Sequence, residues 1–176
     1  MMVRPARDTE LEAIRKVHLA AFGDDERETV ACLACELQSK ASDPRHLGLV
    51  AEEQGVIVGH VMFSPVSVGG DDHILGFILA PLAVSPPRQG AGIGTLLVTE
   101  GIRILSGSGA DIVFVYGDPA YYGRFGFRRE TAEGFTPPHP LTYPDGWLAL
   151  RTNDARPLPD AAGISCVPPL DRPELW

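Results

Sequence analysis

The segment from Ile74 to Tyr116 constrains the fold more than any other part of the chain. An apolar run ending at Val84 is followed by a glycine-rich turn and then by apolar residues at helical spacing. A second apolar run, Ile112 to Tyr116, begins shortly after that helix ends. A strand, a crossover helix and a second strand place the two strands parallel in one sheet. The sequence therefore predicts a parallel strand pair in a buried sheet.

Two helices are predicted before this unit. The residues Thr9-Glu10-Leu11-Glu12 have the pattern of a capping box, in which the Thr9 hydroxyl and the Glu12 carboxylate satisfy free amides at a helix start. Phe22-Gly23 predicts the end of that helix, with Gly23 in a left-handed turn. A second helix is predicted over about Glu26 to Gln38, with its apolar stripe against a sheet or against the first helix.

Extended runs complete the N-terminal half. Val3-Arg4-Pro5 is typical of a short edge strand, and Leu47 to Glu52 and Val56 to Phe63 predict two further strands. Short turns at Glu53-Gln54-Gly55 and Gly69-Gly70-Asp71-Asp72 favour antiparallel pairing of these strands with the one that ends at Val84.

The pattern after Tyr116 predicts a short helix and then more extended chain. Asp118-Pro119 starts the helix, because proline is tolerated in a first turn, and extended structure resumes at Phe127. The final predicted features are two strands and one aromatic contact: Gly146 to Arg151, Ile164 to Val167, and the Trp176 ring against the body.

The length favours one domain, because 176 residues with 44% hydrophobic content supply one ordinary core. We therefore predict a single domain over 1–176, with a core at about 3–151 and a proline-rich tail at 152–176. The predicted fold class is α/β, with a mixed twisted sheet of about seven strands and helices on both faces. The predicted element order is β-α-α-β-β-β-α-β-α-β-β.

The net charge of -8 excludes some classes of partner. Nucleic acids and anionic membranes attract basic surfaces, so neither is expected as a partner. No stretch approaches the roughly 20 apolar residues that cross a bilayer, and the predicted location is the cytoplasm. A phosphate site in so acidic a chain must depend on local groups such as oriented backbone amides.

Three cysteines, Cys32, Cys35 and Cys166, are an odd and sparse set that favours a reduced compartment over a disulfide framework. Cys32 and Cys35 lie inside a helical pattern. A reactive pair is expected at a helix N-terminus instead, so we predict buried structural thiols rather than a redox or metal site.

The turn Gln89-Gly90-Ala91-Gly92-Ile93-Gly94 carries the strongest chemical signal. Successive amides at a helix start present partial positive charge to a phosphate, and glycines let the backbone approach closely. The turn by itself is equally consistent with a structural role, in which the glycines serve only the tight packing of the strand against the helix. The glycine spacing does not match the dinucleotide fingerprint, and no Gly-Lys-Ser/Thr follows.

This turn resembles the acetyl-CoA loop of the GCN5-related N-acetyltransferases, whose pattern is [QR]-x-x-G-x-[GA]. Gln89, Gly92 and Gly94 match it. Tyr122-Gly123-Arg124-Phe125-Gly126-Phe127 is similar to the family's Y-x-x-x-G-F segment. The Gly117 to Tyr122 stretch further resembles a bacterial subgroup of predicted acetyltransferases, the YhbS-like proteins.

The resemblance implies an N-acetyltransferase that moves an acetyl group from acetyl-CoA to a primary amine, with no metal. It implies that the loop amides hold the pyrophosphate and that the pantetheine arm follows the strand ending at Val84. Tyr122 is implied as the general acid that protonates the leaving thiolate. The cofactor-binding residues implied are Leu82, Ala83, Val84, Gln89, Gly90, Ala91, Gly92, Ile93, Gly94 and Thr95.

The base that deprotonates the amine stays unassigned, because the strand Gly76 to Leu82 has no carboxylate. The candidates are Asp25, Glu26, Glu28, Asp71, Asp72, His73 and His60. The alternative function is a non-catalytic module that binds or senses acyl-CoA. The acceptor, a small molecule or a peptide amine, does not follow from the sequence, and a homodimer is left open. The acidic balance favours a cationic acceptor.

Overall fold

A computed structural model describes residues 1–40 and 45–176. In the described residues the chain forms five α-helices and eight β-strands. The helices are α1 (Leu11–Ala21), α2 (Arg27–Gln38), α3 (Ile93–Gly107), α4 (Pro119–Tyr122) and α5 (Arg129–Ala132). The strands are β1 (Met2–Pro5), β2 (Leu47–Glu53), β3 (Val56–Val68), β4 (Asp71–Val84), β5 (Ile112–Tyr116), β6 (Phe135–Thr136), β7 (Trp147–Arg151) and β8 (Ala162–Cys166).

The fold is a mixed α/β structure with an open, mostly antiparallel sheet. Its strand order is β1-β2-β3-β4-β5-β7, and β8 pairs with both β3 and β6. The residues pack into two compact units, Met1–Phe63 with Ala80–Gly101 and Ser64–Leu79 with Ile102–Trp176. The strands β3 and β4 and the helix α3 contribute residues to both units. The single domain stays a prediction.

The first unit joins an antiparallel ladder to a helix pair. β1 pairs with β2 and β2 with β3, with Val50 opposite His60. α1 and α2 contact each other, and Ile14, Ala34 and Val50 form one buried cluster from the two helices and the sheet. The predicted apolar stripe of α2 therefore packs against both of the partners that its pattern allowed.

The second unit contains the parallel strand pair that the crossover helix predicted. β4 and β5 pair in register from Gly76 opposite Ile112 to Leu79 opposite Val115. β7 adds to the other side of β5 in antiparallel orientation. β5 is almost wholly buried, as its continuous apolar run indicated.

The sequence prediction differs from the structure after Phe127. Extended chain was expected there, but Arg128 makes an isolated bridge and α5 follows before the two-residue strand β6. The sheet accordingly has eight strands rather than about seven. Elements of four and two residues are too short to show a helical or strand period in the sequence.

Two predicted helix-end details are wrong. α1 begins after a 3-10 turn at Asp8–Glu10, and its side-chain contact comes from Glu10, which accepts the Arg7 amide at 2.8 Å, rather than from a Thr9–Glu12 box. The helix ends at Ala21 through an extended Phe22, so Gly23 is not the left-handed residue that was expected. The Glu10 carboxylate therefore replaces the expected N-terminal cap, and an extended Phe22 replaces the expected left-handed glycine.

The expectation of buried thiols is wrong for Cys32, which is exposed, and Cys35 is half-buried. Burial raises the pKa of the Cys35 thiol, and it raises that of Cys166 to about 12. Neither of these two thiols has the depressed pKa that a redox centre requires.

Trp176 packs as predicted, within the second unit. Its ring stacks on Tyr116 at 5.9 Å between centroids and meets Trp147 edge-on. Its indole N–H donates to the Leu170 carbonyl at 3.0 Å. The C-terminal tail is therefore anchored on the end of β5.

Candidate active site

The glycine turn precedes α3 in the first unit and is exposed to solvent. Gly90 and Gly92 adopt left-handed φ values of 76° and 79°, which residues with a Cβ rarely adopt. The first α-helical hydrogen bond runs from the Leu96 amide to the Gly92 carbonyl at 3.0 Å. Helix geometry therefore leaves the amides of Ile93, Gly94 and Thr95 without intrahelical partners.

A side chain closes the turn onto the strand before it. The amide nitrogen of the Gln89 side chain donates to the Val84 carbonyl oxygen at 3.0 Å. The Gln89 backbone amide donates to the Pro86 carbonyl at 3.2 Å, closing a 3-10 turn at Pro86–Arg88. Gln89 therefore holds the loop in shape through its side chain and its backbone amide.

Two glycines, which have no side chain, let α3 pack close to β3. A Cβ on Gly59 would lie 3.0 Å from the Leu97 side chain and 3.1 Å from that of Ile93. A Cβ on Gly101 would overlap the ring of Phe63. α3 therefore packs closely on β3 at two points, near its start at Gly59 and past its middle at Gly101.

The end of β4 runs beside the start of β3 in the same unit. The Ser85 amide donates to the Val58 carbonyl at 2.8 Å. Leu82 and Val84 are half-buried and Ala83 is buried. The parallel register with β5 covers β4 as far as Leu79, and β4 continues to Val84. Leu82 to Thr95 therefore form one continuous part of the first unit.

Tyr122 lies on α4 in the second unit. Asp118 caps this helix, because its carboxylate accepts the Ala120 amide at 2.8 Å. Gly117 makes room for the Tyr122 ring, since a Cβ there would lie 2.5 Å from it. Phe127 meets the same ring edge-on at 5.9 Å between centroids. The ring is therefore held from both sides.

The hydroxyl of Tyr122 keeps its proton. Burial raises its pKa above the ordinary value, and the nearby Tyr121 and Asp118 raise it further. Across the described residues the Tyr122 hydroxyl makes no hydrogen bond to another protein group. A protonated, unengaged hydroxyl has the state that a proton donor requires.

The glycine of the Tyr122 motif is required by the backbone conformation between Tyr122 and Phe127. Gly126 ends the 3-10 turn Gly123–Phe125 with a left-handed φ of 94°. A Cβ on it would also crowd the Leu150 side chain at 3.2 Å. Glycine at this position lets the chain reverse, so that Phe127 returns to pack on Tyr122.

Most of the candidate bases lie on the surface. Asp25 and Glu26 are exposed, and Glu28 pairs with Arg15 at 2.6 Å. Asp71, Asp72 and His73 are exposed at the opposite end of β4 from Leu82. His60 differs from these candidates because it is fully buried.

His60 contacts a histidine that the sequence analysis did not select. His18 on α1 places Nε2 3.0 Å from Nδ1 of His60, and both side chains are 0% exposed. Burial lowers the pKa of His18 to about 4, and burial together with His18 lowers that of His60 well below its ordinary value. The sequence signal that could have found the pair is a histidine among the apolar positions of α1 and another among those of β3. That the two side chains meet depends on the tertiary fold.

The described residues were also searched for a metal-ligand group and for a membrane-spanning helix. Outside residues 41–44, no group of three or more His, Cys, Asp or Glu side chains is placed to hold a metal ion. In the same part of the chain, every helix is too short or too polar to cross a bilayer.

Comparisons with known proteins identify the family. The model of the Acetyltransferase (GNAT) family matches residues 11–127. The N-acetyltransferase YjhQ of Escherichia coli K12 is 36% identical over 161 residues, 89% of this chain and 86% of YjhQ.

Two solved structures share the fold. The GNAT family N-acetyltransferase YhbS of Escherichia coli, in complex with CoA, has a TM-score of 0.82 at 27% identity, covering 97% of this chain and 92% of YhbS. A GNAT family acetyltransferase of Brucella melitensis, in complex with acetyl-CoA, has a TM-score of 0.72 at 31% identity and covers 97% of both chains.

The family match and the related N-acetyltransferases define an acyltransferase. The chain belongs to the acetyltransferase (GNAT) family, as the match over residues 11–127 and the relationship to YjhQ show.

Proposed function

We propose that this enzyme transfers an acetyl group from acetyl-CoA to a primary amine. The observation that carries the proposal is the start of α3 behind an exposed turn, where the amides of Ile93, Gly94 and Thr95 have no intrahelical partners beside two left-handed glycines. The YhbS and Brucella melitensis structures were determined with CoA and acetyl-CoA, which supports the same ligand here.

The pyrophosphate binds to the amides from Gly90 to Thr95. These N–H groups and the dipole of the fifteen-residue helix α3 supply positive potential in a protein whose net charge is -8. The Gln89–Val84 hydrogen bond fixes the loop before the ligand arrives, which lowers the entropy lost on binding.

The pantetheine arm pairs with the backbone of Leu82 to Val84. β4 continues over these residues beyond its register with β5, and extended backbone is a natural partner for the amides of the arm. Because Gln89 occupies the Val84 carbonyl, we assign the pairing to Leu82 and Ala83 first. A strand amide here also stabilises the oxyanion of the tetrahedral intermediate.

Tyr122 supplies the proton for the leaving group. The amine nitrogen attacks the thioester carbon, the C–S bond breaks, and the CoA thiolate takes the Tyr122 hydroxyl proton. The support for this role is that the Tyr122 hydroxyl, held protonated by burial, has no hydrogen-bond partner in the described chain. Bulk water then reprotonates the tyrosinate.

An acceptor screen tests the proposed function. The purified protein is given acetyl-CoA with polyamines, amino acids, aminoglycosides or peptide N-termini, and released CoA thiol is measured. We expect release with at least one class, with a preference for cationic amines because of the acidic surface. Tight CoA binding without thiol release from any amine contradicts acetyl transfer and favours an acyl-CoA-sensing module.

A further inference from the structure

Arg88 is the only Lys or Arg residue between Arg45 and Arg103 in the sequence. The same stretch contains five acidic residues, which are Glu52, Glu53, Asp71, Asp72 and Glu100. Arg88 stands two positions before Gly90, where the amides that we assign to the pyrophosphate begin. Because two residues span at most about 7 Å, the chain places the single cation of this stretch beside the proposed phosphate site.

The backbone of Arg88 is fixed at the end of β4. Its amide donates to the Ser85 carbonyl at 2.8 Å, and the Ser85 amide donates to the Val58 carbonyl on β3 at 2.8 Å. Pro86 and Pro87 precede Arg88, and the proline ring restricts the backbone to a φ of about -65°. The side chain of Arg88 therefore starts from a rigid part of the first unit.

The guanidinium of Arg88 forms an ion pair with Glu53, the last residue of β2. Nη2 of Arg88 lies 2.6 Å from Oε2 of Glu53. Half of the Arg88 side chain and a third of the Glu53 side chain are exposed to solvent. Across the described residues, Nε and Nη1 of Arg88 have no partner. The guanidinium is therefore held at one nitrogen, and its other two nitrogens have unused donors.

The ion pair gives Arg88 an orientation rather than stability. An exposed ion pair contributes little to folding, because water and salt screen it. A long side chain that is already held in place loses less entropy when it binds a ligand. Since a guanidinium binds phosphate through several N–H groups in one plane, the pair has the arrangement of a preformed phosphate site.

CoA carries a phosphate that the glycine turn does not use. Besides the pyrophosphate, the ribose of CoA bears a 3′-phosphate monoester. A phosphate monoester has a charge of about -1.5 to -2 at pH 7, the highest of any single phosphate on this ligand. In a protein with a net charge of -8, a local cation offsets the repulsion that this group meets.

We propose that Arg88 binds the 3′-phosphate of CoA and that Glu53 holds the guanidinium in position for it. This inference rests on the proposed acetyl transfer, because it concerns recognition of the acetyl donor. The turn binds the pyrophosphate of the donor, and Arg88 selects donors that carry the 3′-phosphate. The enzyme thereby distinguishes acetyl-CoA from acetyl-dephospho-CoA, which lacks that one group.

Calorimetric Kd values for CoA and dephospho-CoA test the site, because these two ligands differ only in the 3′-phosphate. The readout is the ratio of the two Kd values, in which any effect of a variant on the pyrophosphate turn cancels. Arg88→Met removes the charge, and Arg88→Lys keeps the charge without the planar fork. Arg15→Met is the matched control, because Arg15 also pairs with a glutamate at 2.6 Å in the first unit.

We expect the wild type to bind CoA about 10–100-fold more tightly than dephospho-CoA. Arg88→Met should bring the ratio close to one by raising the Kd for CoA alone, and Arg88→Lys should give an intermediate ratio. Arg15→Met should keep the wild-type ratio. The Tm of each variant should stay within about 3 °C of the wild type, because these ion pairs are exposed.

Glu53→Ala tests the positioning role of Glu53. Glu12→Ala, at another exposed and ion-paired carboxylate of the first unit, is its control. Glu53→Ala should lower the preference for CoA by about threefold, because the released guanidinium must then be ordered on binding. A preference that is unchanged or increased would show that Glu53 does not position Arg88.

Three results overturn the Arg88 site and leave acetyl transfer standing. The first is an equal Kd for the two ligands in the wild type, and the second is a wild-type ratio in Arg88→Met. The third is an equal loss of the ratio in Arg15→Met, which would assign the preference to net charge. A wild type that binds neither ligand and releases no thiol in the acceptor screen contradicts the proposed function, and the site fails with it.

Discussion

The carboxylate of Asp111, which is fully buried, bridges two stretches of chain by accepting the Leu75 amide at 2.9 Å and the Arg156 guanidinium at 3.0 Å. Asn153 donates to the same carboxylate at 2.9 Å. The residue thus ties the parallel strands β4 and β5 to the loop after β7.

We predict that Asp111→Asn destabilises the protein by about 2–4 kcal/mol. The amide removes the buried charge and directs an N–H group at groups that are themselves donors. Urea unfolding followed by circular dichroism measures the loss. Asp154→Asn, at an almost fully exposed side chain, is the matched control and should change stability by less than about 0.5 kcal/mol. Equal losses of unfolding free energy in the two variants would show that the Asp111 carboxylate does not stabilise the fold.

Gly92→Ala should weaken CoA binding. The left-handed φ of 79° strains an alanine by about 1 kcal/mol or more, so the loop shifts and its amides no longer converge. We expect the Kd for CoA, measured by calorimetry, to rise by about tenfold. Gly107→Ala at the end of the same helix has an ordinary φ and open space, and it should leave the Kd unchanged. The same Kd in both variants would exclude the loop as the phosphate site.

Gln89→Leu tests whether the loop is held in shape before the ligand binds. The substitution keeps the side-chain size and removes the hydrogen bond to the Val84 carbonyl, which contributes about 1 kcal/mol. We expect a rise of about fivefold in the Kd for CoA with little change in Tm. Thr99→Val, at an exposed position farther along α3, serves as control. A Kd equal to that of the wild type would mean that the backbone alone holds the turn.

Tyr122→Phe should keep the fold and the CoA affinity while kcat falls by about 10²–10⁴-fold. The ring contacts with Gly117 and Phe127 remain, and the proton is lost. Tyr121→Phe is the matched control because its ring lies 5.0 Å away on the same helix. An undiminished kcat in Tyr122→Phe would assign the proton transfer to another group.

Stability should fall with acid because of His18. Its pKa is about 4 in the folded protein and about 6.5 when unfolded, so between these values the unfolded chain binds more protons. Stability therefore rises with pH across this window, is complete above about pH 6.5, and is lost as pH falls toward 4. The full difference is on the order of 3 kcal/mol. His18→Gln should flatten this part of the curve, as measured by urea unfolding at several pH values, and an unchanged slope would contradict the assignment.

The crossover unit was predictable because its signals are local. Apolar runs, a glycine turn and helical spacing between Ile74 and Tyr116 determine a strand, a helix and a parallel strand, since the crossover rule leaves one arrangement. The short elements α5 and β6 escaped prediction for the opposite reason, because each is shorter than the period that would reveal it. The expected burial of Cys32 failed because it depended on the general tendency of free cysteines to be buried, which says nothing about the position of one residue on its helix.

The sequence by itself determined the fold class, the glycine turn and the Tyr122 motif, because apolar runs, glycine turns and short motifs are properties of neighbouring residues. Only the tertiary structure decided that Gln89 closes onto Val84, that Asp111 holds a distant loop, and that His18 meets His60. The two histidines are 42 positions apart and lie on different elements. Contacts of that kind depend on how a helix is placed on a sheet, which no local pattern specifies.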